Sequence, residues 1–296
     1  MQPDPAAPRG RSGGLALVAT LIAPGLGHLY LGHPRVAFAV LLALGVGFPL
    51  LITAMVALQM PPLWTFATAV SAGWGFALAI AFDAYRRAGR TRDIVVAPGS
   101  GRGKYLGFFA LSLAVSMTGQ ALRKAYVLDF HKTPSDGMAP TLRADDHFVV
   151  TKLHERGRTP ARGDLVTFIY PQDPSEVFVK RVVAIGGDTV VDTPEGLVIN
   201  GLAWPRRACD TTWPDELAQQ CLTERAPDGR EYTIRENPGA PARSVTTTVP
   251  EGQMWVRGDN RRGSHDSVTF GPVPVANVLG RVRAIVLPLD RLGPLE

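Results

Sequence analysis

Val177-Phe178-Val179-Lys180-Arg181-Val182-Val183-Ala184-Ile185-Gly186-Gly187-Asp188 is the stretch that decides the fold class of this chain. β-Branched and aromatic residues dominate its first nine positions and Gly-Gly-Asp stops it, which predicts a β-strand. Similar short runs lie on both sides: Phe148-Val149-Val150, Leu165-Val166-Thr167-Phe168-Ile169, Met254-Trp255-Val256 and residues 278–287. Leu197-Val198-Ile199-Asn200-Gly201-Leu202-Ala203-Trp204 is two strands around Asn-Gly, the signature of a type I′ hairpin. Residues 206–243 are polar, contain prolines and both cysteines, and read as an insertion on the sheet rather than as core. The roughly 170 residues that follow position 127 are ample for one mostly β domain with its own core.

The N-terminal part reads differently. Charged residues make up 19% of the chain, against roughly 25% in an ordinary soluble protein. The deficit is uneven: residues 12–34, 36–82 and 105–122 contain no Asp, Glu, Lys or Arg. This excludes a single soluble globule, and the ordinary composition beyond Arg123 excludes a chain that is membrane throughout. A membrane-crossing helix needs about 20 apolar residues. Residues 36–59 and 63–82 meet that length, parted by a turn at Met60-Pro61-Pro62, and residues 105–127 supply a third span. Residues 15–31 carry Pro24, Gly25 and Gly27 and could form a short span, a re-entrant loop or an interfacial helix.

Basic residues near span ends stay cytoplasmic. Arg86, Arg87, Arg90, Arg92, Arg102 and Lys104 therefore place the loop before the last span inside, and Arg9, Arg11 and Arg35 agree if residues 15–31 do not cross. The expected organisation is a multi-span region over 1–104, a transmembrane anchor over 105–127 and an extracytoplasmic β domain over 128–296. The location is the cytoplasmic (inner) membrane, with the lipid bilayer as a partner.

Several tempting functions fail on the residues. The net charge of +5 sits largely in the loop beside the membrane, where it orients the chain, so no nucleic-acid partner is expected. Gly99-Ser100-Gly101-Arg102-Gly103-Lys104 lacks the first glycine and the final Ser/Thr of a phosphate loop. The six histidines show no metal-ligand spacing, and no metal or organic cofactor is expected. Ser264-His265-Asp266 spells a triad in a row, but triads are recognised by geometry and adjacent side chains face different ways. Cys209 and Cys221, both in the exported half, suggest one disulfide closing a surface loop.

Four segments in fixed order remain. They are Pro134-Ser135-Asp136-Gly137-Met138-Ala139-Pro140-Thr141-Leu142, then Arg162-Gly163-Asp164-Leu165-Val166-Thr167-Phe168 with Tyr170-Pro171. Lys180-Arg181-Val182-Val183-Ala184-Ile185-Gly186-Gly187-Asp188 comes third, and Gly258-Asp259-Asn260-Arg261-Arg262-Gly263-Ser264-His265-Asp266-Ser267 last. Together they resemble the bacterial signal peptidase I family over roughly residues 120–290. The resemblance implies N-terminal transmembrane helices followed by a signal-peptidase-like β fold, and a Ser nucleophile with a Lys general base.

By this resemblance Lys180 is the base, dehydrated by its apolar strand so that its pKa falls. Ser264 would hydrogen-bond and orient it, Asp266 and Asp259 would brace the surrounding loop, and Ser135 with the N–H of residue 137 would stabilise the oxyanion. Thr133, Met138, Pro140, Leu142 and Val179 are the expected substrate-binding residues. The substrates implied are signal peptides of exported preproteins, with the export machinery as a further partner.

The sequence departs from the family twice. Gly137 occupies the nucleophile position immediately before Met138, so no acyl-enzyme can form there and cleavage should be severely impaired. Val268 stands where the family usually has Arg, which should loosen a salt bridge behind the site. Two rival readings follow: a non-catalytic, signal-peptide-binding or regulatory paralogue, and a structural membrane component of a secretion assembly.

Overall fold

The computed structural model describes residues 12–57, 62–90, 102–152, 158–209, 221–236 and 243–295. Arg9, Arg11, Met60, Pro61, Arg92 and most of the basic loop lie outside the described residues, as do 210–220 and 237–242 of the expected insertion. The chain divides into two compact units, Met1–Ala125 and Tyr126–Glu296.

In the first unit residues 15–31 fold as two short helices, α1 (Gly13–Ile22) and α2 (Leu26–Tyr30). The break falls at Pro24-Gly25. Gly25 has φ +91°, and a Cβ there would lie 2.5 Å from the Ala37 carbonyl, so both the turn and the close approach require glycine. Next come α3 (Pro34–Leu42), a π-helical turn (Ala43–Gly47) and α4 (Phe48–Ala57). Two long helices follow, α5 (Pro62–Arg90) and α6 (Arg102–Tyr126). Ala16 of α1 packs with Ala84 and Ala88 of α5, and buried His28 bonds Asp83 at 2.9 Å. Among the described residues two helices are long and apolar enough to cross a membrane, Pro34–Val56 and Gly103–Tyr126, with mean hydropathies of 2.4 and 1.4.

The second unit is antiparallel β structure. Its strands are β1 (Leu128–Lys132), β2 (His147–Thr151), β3 (Leu165–Ile169), β4 (Val177–Ile185), β5 (Thr189–Thr193), β6 (Gly196–Ile199), β7 (Leu202–Ala203) and β8 (Arg206–Ala208). They continue with β9 (Cys221–Arg225), β10 (Glu231–Arg235), β11 (Val245–Thr248), β12 (Gln253–Arg257), β13 (Val273–Pro274), β14 (Val278–Leu287) and β15 (Gly293–Pro294). The principal sheet runs β1-β2-β14-β3-β4-β12-β13, with β15 on β14. Strand β4 lies inside it, between β3 and β12, and its residues Lys180–Ala184 are all buried, so both faces are covered along that stretch. The Asn200-Gly201 hairpin joins β6 to β7, both turn residues having positive φ (54° and 78°) as a type I′ turn requires.

The strand pattern identifies the large sheet but misjudges residues 206–243. Its described residues, 206–209 and 221–236, carry the three-stranded sheet β10-β9-β8 and contribute to the core. Tyr232 and Ile234 point inward at alternate positions and pack with Leu197, Trp204 and Trp255. A disulfide joins Cys209 to Cys221 at the β8–β9 edge. The misjudgement has a physical cause: charges counted as surface are here buried in pairs. Glu224 has no exposure. It accepts from Arg206 at 2.8 Å, from the Arg261 guanidinium through both oxygens, and from the Tyr232 hydroxyl at 2.7 Å.

Burial alone would raise the Glu224 carboxyl, but the charge and hydrogen bonds of Arg261 outweigh it and hold the group at about 2. The stabilisation carried by this lowered pKa is therefore fully present above the unfolded value near 4.5, and is lost as pH falls through the folded one. Glu224→Ala should cost about 3–5 kcal/mol, because it leaves the buried Arg261 guanidinium without its carboxylate, while Arg206 keeps Glu236. Thermal unfolding of the full chain in detergent should show this loss at pH 7, and a shrinking difference from wild type between pH 4.5 and 2.

Candidate active site

The first motif forms the connection from β1 to β2. Thr133 and the β2 end are tied by Thr133 N–H to Asp146 O (2.8 Å) and Asp145 N–H to Thr133 O (2.9 Å). Between them Asp136–Met138 makes one 3-10 turn, with Asp136 accepting from the Ala144 N–H. Met138 and Leu142 are sealed in a core cluster with Phe148, Val150 and Leu165, so apolar burial pins the turn from below. Pro140 and Thr133 are buried too, while Val179 packs against the same cluster and keeps some exposure.

Strand β4 contributes two consecutive cations, and strand pleating sends them to opposite faces. Arg181 goes inward, where its guanidinium donates to both oxygens of Asp259 (2.8 and 2.6 Å) and to the Gly163 carbonyl (2.8 Å). Asp259 also accepts from the Thr141 hydroxyl at 2.5 Å, so one buried pair joins all four motif segments. Lys180 is 8% exposed. Its Nζ donates to its own strand at Val179 O (3.0 Å) and lies 5.3 Å from the centre of the Phe178 ring. Burial lowers its pKa to about 8, although the Asp266 and Asp259 carboxylates pull it back up.

The fourth motif is the loop between β12 and the short helix α7 (Ser267–Phe270). Asn260 N–H donates to Gly137 O (3.3 Å) and its side-chain amide to Asp136 O (3.1 Å). Asp266 accepts from Gly258 N–H (2.9 Å) and Arg257 Nε (3.1 Å), and caps α7 at Val268 N–H (3.2 Å). Gly258 has to be glycine, because a Cβ would run into the Ser264 side chain and the Gly137 carbonyl.

These contacts converge on Gly137. A Cβ built on its backbone would have three nearest neighbours, all polar: Ser264 Oγ at 3.5 Å, Lys180 Nζ at 3.7 Å and Ser135 Oγ at 3.8 Å. Those are ordinary contact distances, and Gly137 has no positive φ. Nothing in the backbone therefore demands glycine here. The four motifs thus bring Ser135, Gly137, Lys180 and Ser264 together.

The signal peptidase, peptidase S26 family matches residues 105–287, more than half of the chain. The chain belongs to that family. Signal peptidase I of Aquifex aeolicus (strain VF5) is 30% identical over 211 residues, 60% of this chain and 80% of that protein. The probable signal peptidase I-1 of Synechocystis is 31% identical over 190 residues, 62% of this chain and 83% of that one. A crystal structure of a signal peptidase I from Enterococcus faecalis V583 is 26% identical over 42% of this chain and 97% of that one, with a TM-score of 0.27. Membership supports a signal-peptidase-type function and, by family, serine endopeptidase chemistry.

Two details of this signal peptidase site differ from the sequence expectation. Ser264 Oγ is buried and makes no hydrogen bond to Lys180 or to any other group among the described residues. Val268 does not leave Asp266 without a cation: it packs on the Trp255 cluster, and Arg257, which also pairs with Asp192, serves Asp266 instead. Arg257 was missed because it lies one residue before the motif, where only its immediate proximity to Gly258-Asp259 could have signalled it. The three adjacent residues diverge as expected: Ser264 faces Gly137, His265 bonds the Tyr170 hydroxyl (2.9 Å), and Asp266 turns to Gly258.

The low pKa of Lys180 is directly measurable. Amine modification of the full chain, followed by mass spectrometry at Lys180 across a pH series, should give a midpoint near 8. Exposed lysines should modify only toward about 10.4.

Proposed function

We propose that the chain is a signal peptidase I-type membrane protein that receives signal peptides of exported preproteins beside Lys180. Its cleavage is severely impaired because Gly137 stands at the nucleophile position. The observation that carries this reading is the trio of polar atoms around a built Gly137 Cβ, with Lys180 Nζ at 3.7 Å. A serine hydroxyl extended from that point could reach the amine, and an amine with pKa about 8 is neutral in roughly a tenth of molecules at pH 7. Lys180 is then the general base and Ser135 the oxyanion donor, with Ser264 Oγ facing the same point without a bond to the amine among the described residues. Asp259 and Asp266 hold the loop, Val179 lines the peptide groove, and the expected groove residues Thr133, Met138, Pro140 and Leu142 are buried and support it from below.

The proposed topology has three spans, over 36–59, 63–82 and 105–127, in the cytoplasmic membrane. The residues from 128 onward are extracytoplasmic, near the export machinery. Support comes from the two long apolar helices and from the basic residues Arg86, Arg87 and Lys104 on one side of the last span.

Losing a serine nucleophile costs about 10⁶-fold in turnover, while binding and electrostatics retain roughly 10³–10⁴ over water. Gly137→Ser should therefore raise cleavage of a purified preprotein by about 10⁴-fold or more, and Gly137→Ser/Lys180→Ala should abolish the gain. Wild type should bind the signal peptide with the affinity of Gly137→Ser. Robust wild-type cleavage equal to Gly137→Ser would overturn the assignment of Gly137, and absence of both binding and restored cleavage would point to a structural component.

A further inference from the structure

The groups around Gly137 support a second way of opening a peptide bond, one that needs no serine. We propose that the chain hydrolyses its bound peptide directly, with a water molecule held beside Gly137 by Lys180 and Ser264 taking the place of the serine hydroxyl. The inference rests on the reading of Lys180 as the base and Gly137 as the nucleophile position.

A site holds water when it offers room and two to four polar partners. Gly137 provides the room, having no side chain, and the three atoms nearest to its Cβ direction are two hydroxyl oxygens and an amine. An oxygen lying just beyond the Cβ point comes within hydrogen-bond reach of Lys180 Nζ and Ser264 Oγ together. Ser264 Oγ is buried without a partner among the described residues, so a bound water would satisfy it. Lys180 Nζ spends one donor on Val179 O, and once neutral it keeps a lone pair for a water proton.

The step balances without any other reactant. Water oxygen forms a bond to the scissile carbonyl carbon as its proton passes to Lys180 Nζ, and the carbonyl π electrons move onto the oxygen, which Ser135 can stabilise. Collapse of this intermediate breaks the C–N bond, and the leaving amine takes the proton from Lys180. One water is consumed, a carboxylic acid and an amine are released, and no acyl-enzyme forms. The reaction is slow compared with a serine pathway because a bound water is held less rigidly than a covalently attached hydroxyl.

Gly137→Ala isolates this chemistry. The added methyl sits at ordinary contact distance, so the fold and the polar groups stay, but it takes the space of the water. Purified full-length protein in detergent, in excess over a synthetic signal-peptide substrate, is followed for days by mass spectrometry. Wild type should cleave at the small-residue site at least tenfold faster than both Gly137→Ala and Lys180→Ala, with a rate that rises with pH and levels off above about 8. Unchanged melting and peptide affinity of Gly137→Ala show that the loss is chemical. Wild type no faster than Lys180→Ala, which is also what traces of host peptidase would give, overturns the inference, as does Gly137→Ala matching wild type. Gly137→Ser is the separating arm: fast cleavage there with an idle wild type rejects the water route alone, and an idle Gly137→Ser rejects the parent reading too.

Discussion

The buried pair between Arg181 and Asp259 is the constraint on which the rest of the site depends. Both side chains are about 1% exposed, and ions so deep are tolerated only with full hydrogen bonding. That requirement is met by drawing in Thr141 from the first motif and the Gly163 carbonyl from the second. Tyr232 closes the arrangement, its ring centre 3.8 Å from the guanidinium carbon. Four stretches of chain, distant in sequence, are thereby held in one geometry. The alternation of a strand does the rest: fixing Arg181 inward aims its neighbour Lys180 outward, at the turn that carries Gly137.

The electrostatics of the two neighbours are opposed. Arg181 has its carboxylate in contact, and its charged form is favoured despite burial. Lys180 has no carboxylate in contact among the described residues; Asp259 and Asp266 act on it only at a distance, and burial wins. One carboxylate, Asp259, is thus spent on Arg181 and unavailable to Lys180. The same dry environment serves two ends, a permanently charged clamp and an amine that can exchange a proton near neutral pH.

Much of the fold is legible in the sequence because strand periodicity and turn chemistry are local. The run around Val182 and the Asn200-Gly201 hairpin need no knowledge of their neighbours. What is not legible is pairing at a distance. Glu224, Arg206 and Arg261 look like surface charges until the chain folds, and only then does the segment from Cys221 to Arg235 prove to be core. The candidate site divides along the same line. Lys180, Ser135 and Gly137 are found by ordered motifs, whereas the unbonded Ser264 hydroxyl and the role of Arg257 depend on angles that spacing does not encode. Helix breaking at Pro24-Gly25 is a local signal; the approach of Ala37 that makes Gly25 irreplaceable is not.

The Arg257 contact carries a consequence for how this loop can vary. Asp266 takes its cation from the strand that enters the loop, while the position just after Asp266-Ser267 holds Val268, packed on the Trp255 cluster. A guanidinium at 268 would bring a second cation to a loop whose Asp266 is already paired with Arg257, itself shared with Asp192. With Arg257 in place the carboxylate of Asp266 has its cation, and position 268 needs none. The apolar side chain at 268 thus leaves Asp266 paired and adds to the core around Trp255 instead.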